Sequence, residues 1–256
     1  MRSDDDVAKV LALRAENLPA LRIASLTGIP RSTVRDWIGG RIPGGGPGRE
    51  GRCAECRGGH DPLDELPPSY VYLLGLYLGD GCISTHARGV YRLRIVLDLK
   101  YPGIVNECEA TMRELVPKNR IARVLRRSNY TGRPEYTHVE VAAYSKSWPC
   151  LFPQHGPGLK HRRHIALAEW QELLVHRSPD RLLRGLIHSD GCRFINTGRR
   201  WRHPRYSFSN RSEDILGIFR ETCDRLGVHW TVAPGNVYVS RKADVARLDG
   251  FIGPKA

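Results

Sequence analysis

Two aspartates, Asp80 and Asp190, occupy the same point of a nine-residue stretch that the chain carries twice, LLGLYLGDG at 73–81 and LRGLIHSDG at 183–191. A carboxylate is a hard oxygen ligand, and two held side by side repel each other unless a divalent cation lies between them. Paired in that way they would form a metal site able to hydrolyse a phosphodiester bond. Taken singly, each is an ordinary aspartate at a helix end. The repetition changes this, because a self-similar block recurring at such a separation signals a duplicated domain.

The elements that must position the pair are legible too. Each copy reads as a helix ending at a glycine, with small residues four apart: Gly75 and Gly79 in the first, Gly185 and Ser189 in the second. Such faces let two helix backbones approach closely. Each aspartate falls in the last turn, where the helix dipole is already negative. With these residues the chain resembles the LAGLIDADG (dodecapeptide, DOD-type) homing endonucleases in their single-chain, two-repeat form. The resemblance implies an α+β fold of two αββαββ repeats in a pseudo-twofold arrangement, with the motif helices at the interface. It implies that Asp80 and Asp190 bind the catalytic metals, Mg2+ or Mn2+, with Gly79 and Ser189 beside them in the metal site. It also implies that the partner is double-stranded DNA, cut on both strands.

Composition agrees with a polyanionic partner: the 256 residues carry a formal charge of +13 and a pI near 9.7, and neutralising phosphates releases counterions that drive binding. No stretch is long enough to span a bilayer, and the start lacks a signal-peptide pattern. The expectation is a cytoplasmic protein, nucleoid-associated when bound to DNA, with no membrane partner. Seven cysteines, an odd number, read as thiols or metal ligands and not as a disulfide framework. An internal repeat supplies both halves of a DNA reader, so a monomer is expected.

Residues 1–42 read as a small all-α domain, with helices expected at 4–16, 19–25 and 33–38, the last capped by Ser32. The string IASLTGIPRSTVRDWI resembles a helix-turn-helix, which would place Arg31, Ser32, Thr33 and Arg35 at the bases and turn Trp37 inward. The competing reading is a small helical bundle that binds protein. Residues 43–67 form a Gly/Pro-rich linker. There Cys53, Cys56 and His60 have the spacing of a zinc knuckle, but no fourth ligand lies nearby, and the lack of one favours a chance grouping over a Zn2+ site.

Residues 68–177 then hold the first repeat and a connecting helix, and residues 178–256 the second. Strands are expected at 82–85, 91–99, 121–126 and 138–144 around a helix at 102–115. In the second repeat they fall at 193–195, 206–209, 229–233 and 237–240 around a helix at 213–226 capped by Ser212. Alternation in YRLRIVLDL puts Arg92 and Arg94 on one face of a sheet. Other candidate DNA contacts are Arg123, Arg126 and Arg127 in the first half, and Arg199, Arg200, Arg202 and Arg205 in the second. Taken one at a time, each of these reads better as a solvated surface charge.

Lysine is scarce, yet two follow the last strand of each repeat: Lys146 and Lys160, then Lys242 and Lys255. The two pairs align with a one-residue gap. The resemblance implies a catalytic basic residue at the end of that strand, which points to Lys146 and, less directly, to Lys242, since Arg241 aligns without the gap. Lys100 and Asn210 match by position a polar residue near the metals. Two readings compete at the level of function. One is a site-specific homing endonuclease. The other is a non-cleaving transcriptional regulator on a LAGLIDADG scaffold, whose known forms have lost the acidic residues that this chain keeps. An intein fits poorly, for lack of a splice-junction nucleophile and a terminal His-Asn.

Overall fold

The computed structural model describes residues 4–39, 63–127, 136–198, 201–253 and 255. The chain divides into two compact units, Met1–Arg52 and Cys53–Ala256. Cys53, Cys56, His60, Arg199 and Arg200 lie outside the described residues.

The first unit contains α1 (Asp4–Ala15), α2 (Ala20–Thr27) and α3 (Arg31–Ile38). Val7, Val10, Ile23, Ile29, Val34 and Trp37 close its small core. Gly28 ends α2 in the left-handed region at φ +67°, a conformation that costs glycine little. The Thr27 hydroxyl donates to the Ile23 carbonyl at 2.7 Å and so fixes the turn. Contrary to expectation Ser32 does not cap α3, which begins two residues earlier, after Pro30. The Pro30 carbonyl takes the Val34 N–H at 3.0 Å, leaving Ser32 inside the first turn.

In the second unit, a short 3-10 turn at Leu63–Glu65 leads into α4 (Pro68–Asp80), with Pro68 at the first helical position, where its missing N–H costs nothing. β1 (Gly81–His86), β2 (Val90–Asp98), α5 (Pro102–Leu115), β3 (Ile121–Arg127) and β4 (Tyr136–Ser145) follow. The connection runs through α6 (Trp148–Leu151) and α7 (Glu169–Arg177). α8 (Pro179–Asp190), β5 (Gly191–Gly198), β6 (Trp201–Ser209), α9 (Glu213–Arg225), β7 (Thr231–Ala233) and β8 (Asn236–Val239) repeat the order. Ser212 caps α9, accepting from the Ile215 N–H. Both sheets are four-stranded and antiparallel, ordered β1-β2-β4-β3 and β5-β6-β8-β7.

A last helix, α10 (Lys242–Ile252), was not expected. Its apolar Val245, Leu248 and Ile252 are buried and recur at helical spacing, a signal interrupted by Gly250 within the helix. Arg184 of α8 donates to the Phe251 and Ile252 carbonyls and pairs with Glu107 of α5 at 2.8 Å, tying the end of α10 to both halves.

α4 and α8 meet backbone to backbone. A Cβ on Gly75 would stand 2.6 Å from the Leu182 carbonyl oxygen and 2.8 Å from Gly185 Cα, and one on Gly185 would lie 2.9 Å from Gly75 Cα. Only glycine fits at that crossing. Every residue of α4 from Tyr70 to Leu78 is buried, so this helix is apolar on all faces, as a helix enclosed on all sides must be. One hydrophobic core runs through both halves.

Candidate metal centre and nucleic-acid interface

Close contact of α4 and α8 brings their last turns together, and Asp80 and Asp190 with them. A Cβ on Gly79 would come within 3.0 Å of Asp190 Oδ2, which measures how near the first helix end is to the second carboxylate. Burial, then the neighbouring Asp190 charge, pushes the Asp80 carboxyl up to about 7 against the pull of Lys160 and Lys255. Burial also raises Asp190, but here the Asn210 amide donates to Oδ2 at 2.7 Å and favours the charged form. Asn210 is itself held by the Ser212 N–H, 2.8 Å from its Oδ1. Neither carboxylate has an ion-pair partner among the described residues.

Lys160 and Lys255 are the bases that reach this site. Lys160 Nζ donates to the carbonyls of Tyr77, Leu78 (2.8 Å) and Gly79 (2.9 Å), capping the end of α4. Lys255 Nζ donates to the Gly191 carbonyl just past α8. Burial lowers both ammonium groups, Lys160 to about 8, while the two aspartates pull the other way. The Gly79 carbonyl is thus engaged by a lysine. The Ser189 hydroxyl turns back along its own helix to the carbonyls of Gly185 (3.1 Å) and Leu186 (2.9 Å).

Lys146 and Lys242 lie elsewhere. Gly81 pairs with Ile95 and Ile95 with Val141, so Lys146 is five residues down β4 and beyond from the level of Asp80, on the order of 15 Å along the strand. Gly191, Phe208 and Val237 share the corresponding level in the second sheet, and Lys242 is again five residues on. The register therefore makes Lys146 and Lys242 equivalent without a gap. Both are exposed, and neither contacts an aspartate of the site among the described residues. Lys100 pairs with Asp98 at 3.0 Å, and both line a cavity of about 390 Å³ shared with Asp80, Tyr101, His138 and Lys255.

Arg92 and Arg94 share the outward face of the first sheet, as alternation requires, with Glu140, Ala142 and Tyr144 beside them. Arg123 does not. It stands on the opposite face, donating to Glu109 and Asn106 of α5, because it is in register with the buried Val141. Arg202 and Arg205 are three residues apart and so point to opposite faces. Arg205 shares the outward face with Ser207 and Tyr238, its guanidinium 4.3 Å from the Tyr238 ring centroid, whereas Arg202 follows the parity of the buried Tyr206 and Phe208. In the first unit Arg31, Ser32 and Arg35 are exposed on α3, Thr33 is half-buried, and Trp37 is in the core.

No family model matches the sequence, and no curated protein matches it. Among solved structures it is similar to the N-terminal LAGLIDADG domain of DUF199/WhiA, with 16% identity and a TM-score of 0.45 over 75% of this chain and 88% of that one. Full-length DUF199/WhiA from Thermatoga maritima gives 15% and 0.44 over 75% and 58%. The LAGLIDADG meganuclease I-AabMI, bound to uncleaved DNA, gives 12% and 0.42 over 73% and 83%. Among the described residues no helix is long and apolar enough to cross a membrane.

Proposed function

We propose that the protein is a divalent-metal-dependent, site-specific DNA endonuclease of the LAGLIDADG homing type, acting as a monomer on double-stranded DNA. One observation carries the reading: α4 and α8 meet through glycines, and their adjoining ends hold two carboxylates without an ion-pair partner among the described residues. The donor set fits a small hard cation. Asp80 and Asp190 offer carboxylate oxygens, and no group of three or more His, Cys, Asp or Glu side chains among the described residues is placed to hold a metal. Mg2+ is commonly held by one or two carboxylates, with water and substrate phosphate completing its shell. Such an ion supplies an acidified water and charge stabilisation at the attacked phosphate. Asn210 orients the Asp190 carboxylate. Lys160 and Lys255 keep two positive charges beside the pair, where they oppose the negative charge that builds on a phosphate under attack. The outward sheet faces, with Arg92, Arg94, Arg126 and Arg205, and the helix-turn-helix, with Arg31, Ser32 and Arg35, hold the duplex.

A second reading rests on the same lysines. Two partly buried ammonium groups already lie beside the two carboxylates, so the cluster could stand without metal in a DNA-binding regulator that does not cut. Incubating the chain with a randomised duplex library, with and without Mg2+, and sequencing the ends separates the two. The nuclease yields double-strand breaks at a shared sequence only with metal, and none with Asp80→Asn or Asp190→Asn. Selection of a sequence that stays intact with every divalent cation would establish the second reading instead.

A further inference from the structure

Glu140 is an acid in the middle of a surface that, on the reading above, faces a polyanion. It lies on β4, on the outward face of the first sheet, opposite Val96 of β2 and Val124 of β3, yet it is only 3% exposed. Two arginines cover it, one from each neighbouring strand. Arg92 Nη2 of β2 donates to Oε1, and Arg126 Nη2 of β3 donates to Oε2 at 3.3 Å. The floor beneath them is small: Ala142 pairs with Ala122 across the strands. Tyr144, the register partner of Arg92, lies under its guanidinium at 5.7 Å. Arg92 is 17% exposed and Arg126 is 50% exposed. The triad therefore has a fixed member, a bridging acid and an open arm.

We propose that Glu140 is a positioning residue for base recognition, holding the Arg126 guanidinium against a guanine in the major groove. The proposal rests on the DNA-binding reading and extends it to a specific contact. A carboxylate here weakens phosphate binding, because it removes one of two positive charges from the triad. What it supplies is direction. A guanidinium has five donors in a planar fork, and with Nη2 engaged by Glu140 the rest remain to meet guanine O6 and N7. Fixing the arm before binding reduces the side-chain entropy lost on contact.

The test is binding-site selection from a randomised duplex by the full chain in chelator, so that nothing is cut, comparing wild type with Glu140→Gln and Arg126→Lys. The expected result is a guanine preference at one position of one half-site that falls about tenfold in both variants. The other positions should be unchanged, and Glu140→Gln should bind non-cognate duplex as tightly as wild type or more so. Arg126→Lys keeps the charge at a half-exposed site, so it reports even if Glu140→Gln folds poorly. An identical preference in wild type and the variants, or a loss of affinity that is uniform across sequences, overturns the proposal. A wild-type chain that selects no sequence at all overturns the DNA-reading function itself, a distinct result.

Discussion

The two halves share strand order and motif but have diverged in what their equivalent positions carry. In the first, β3 and β4 run to 7 and 10 residues; in the second, β7 and β8 reach only 3 and 4. The first sheet's outward face is organised around a buried acid with two arginines, whereas on the second Arg205 stacks on Tyr238 and donates to Ser240 at 2.6 Å. α4 carries no charged side chain ahead of Asp80, and it is buried from Tyr70 to Leu78. α8 carries Arg184 and His188, and burial drives the His188 imidazole down to about 4, so it stays neutral, its Nδ1 2.9 Å from the Tyr72 hydroxyl and its Nε2 3.1 Å from the Ile252 carbonyl. At the site itself Asp190 has the Asn210 amide, while no hydrogen bond to Asp80 is found among the described residues. Duplication has thus kept the backbone crossing, and the aspartates it brings together sit in unequal surroundings.

The largest effect should come from breaking what the halves have in common. Gly185→Ala or Gly75→Ala puts a methyl group into the partner's backbone, and each should cost about 3 kcal/mol or prevent folding. Gly79→Ala meets the Ser189 side chain, whose hydroxyl can turn but whose Cβ at 2.5 Å cannot, so about 2 kcal/mol is expected there. Urea unfolding midpoints measure the difference. A Gly185→Ala protein as stable as wild type would show that the two backbones do not touch.

Next comes the inequality of the aspartates. Unfolded, Asp80 titrates near 3.8; folded, at about 7. Between those values the folded chain keeps a proton that the unfolded chain has released. This group's contribution to stability is therefore complete below pH 4 and is lost as the pH rises to 7. Metal-free protein should lose stability across that window. Asp80→Asn should remove most of the slope and stabilise the protein at pH 8 by on the order of 2 kcal/mol. Asp190→Asn should do less, because it also forfeits the favourable Asn210 contact. Mg2+ should raise the melting temperature more at pH 8 than at pH 5, since it binds the ionised pair. Thermal melts at several pH values, with and without metal, check all three.

The smallest effects sharpen the assignment of the lysines. Lys160→Met removes donors from three carbonyls at the end of α4 and should cost about 1–2 kcal/mol; Lys255→Met, with one carbonyl, should cost less. Lys146→Ala and Lys242→Ala, both at exposed positions, should fall within about 0.5 kcal/mol of wild type and leave cleavage in place. Loss of cleavage in Lys146→Ala with Lys160→Met still active would reverse the assignment.

The sequence by itself determined the duplication, the two motif helices and the order of strands. Periodicity, prolines at helix starts and glycines at helix ends are local signals, and α5, running from Pro102 to Leu115, was legible to the residue for that reason. It also singled out Asp80, Asp190 and the four paired lysines. It placed the basic role at Lys146 and, less directly, at Lys242, because the family resemblance implies a basic residue at the end of that strand. Which lysines reach the aspartates depends on where the segments after β4 and α10 return in space, and burial of Lys160 against the end of α4 leaves no local trace. The same holds for Arg123 and Arg202. Composition marks both as basic, but the face each takes is fixed by strand register, and register is settled by which apolar neighbours the core accepts. Glu140 was passed over altogether, since an acid between two valines on a strand looks like surface until the arginines on either side are seen to close over it.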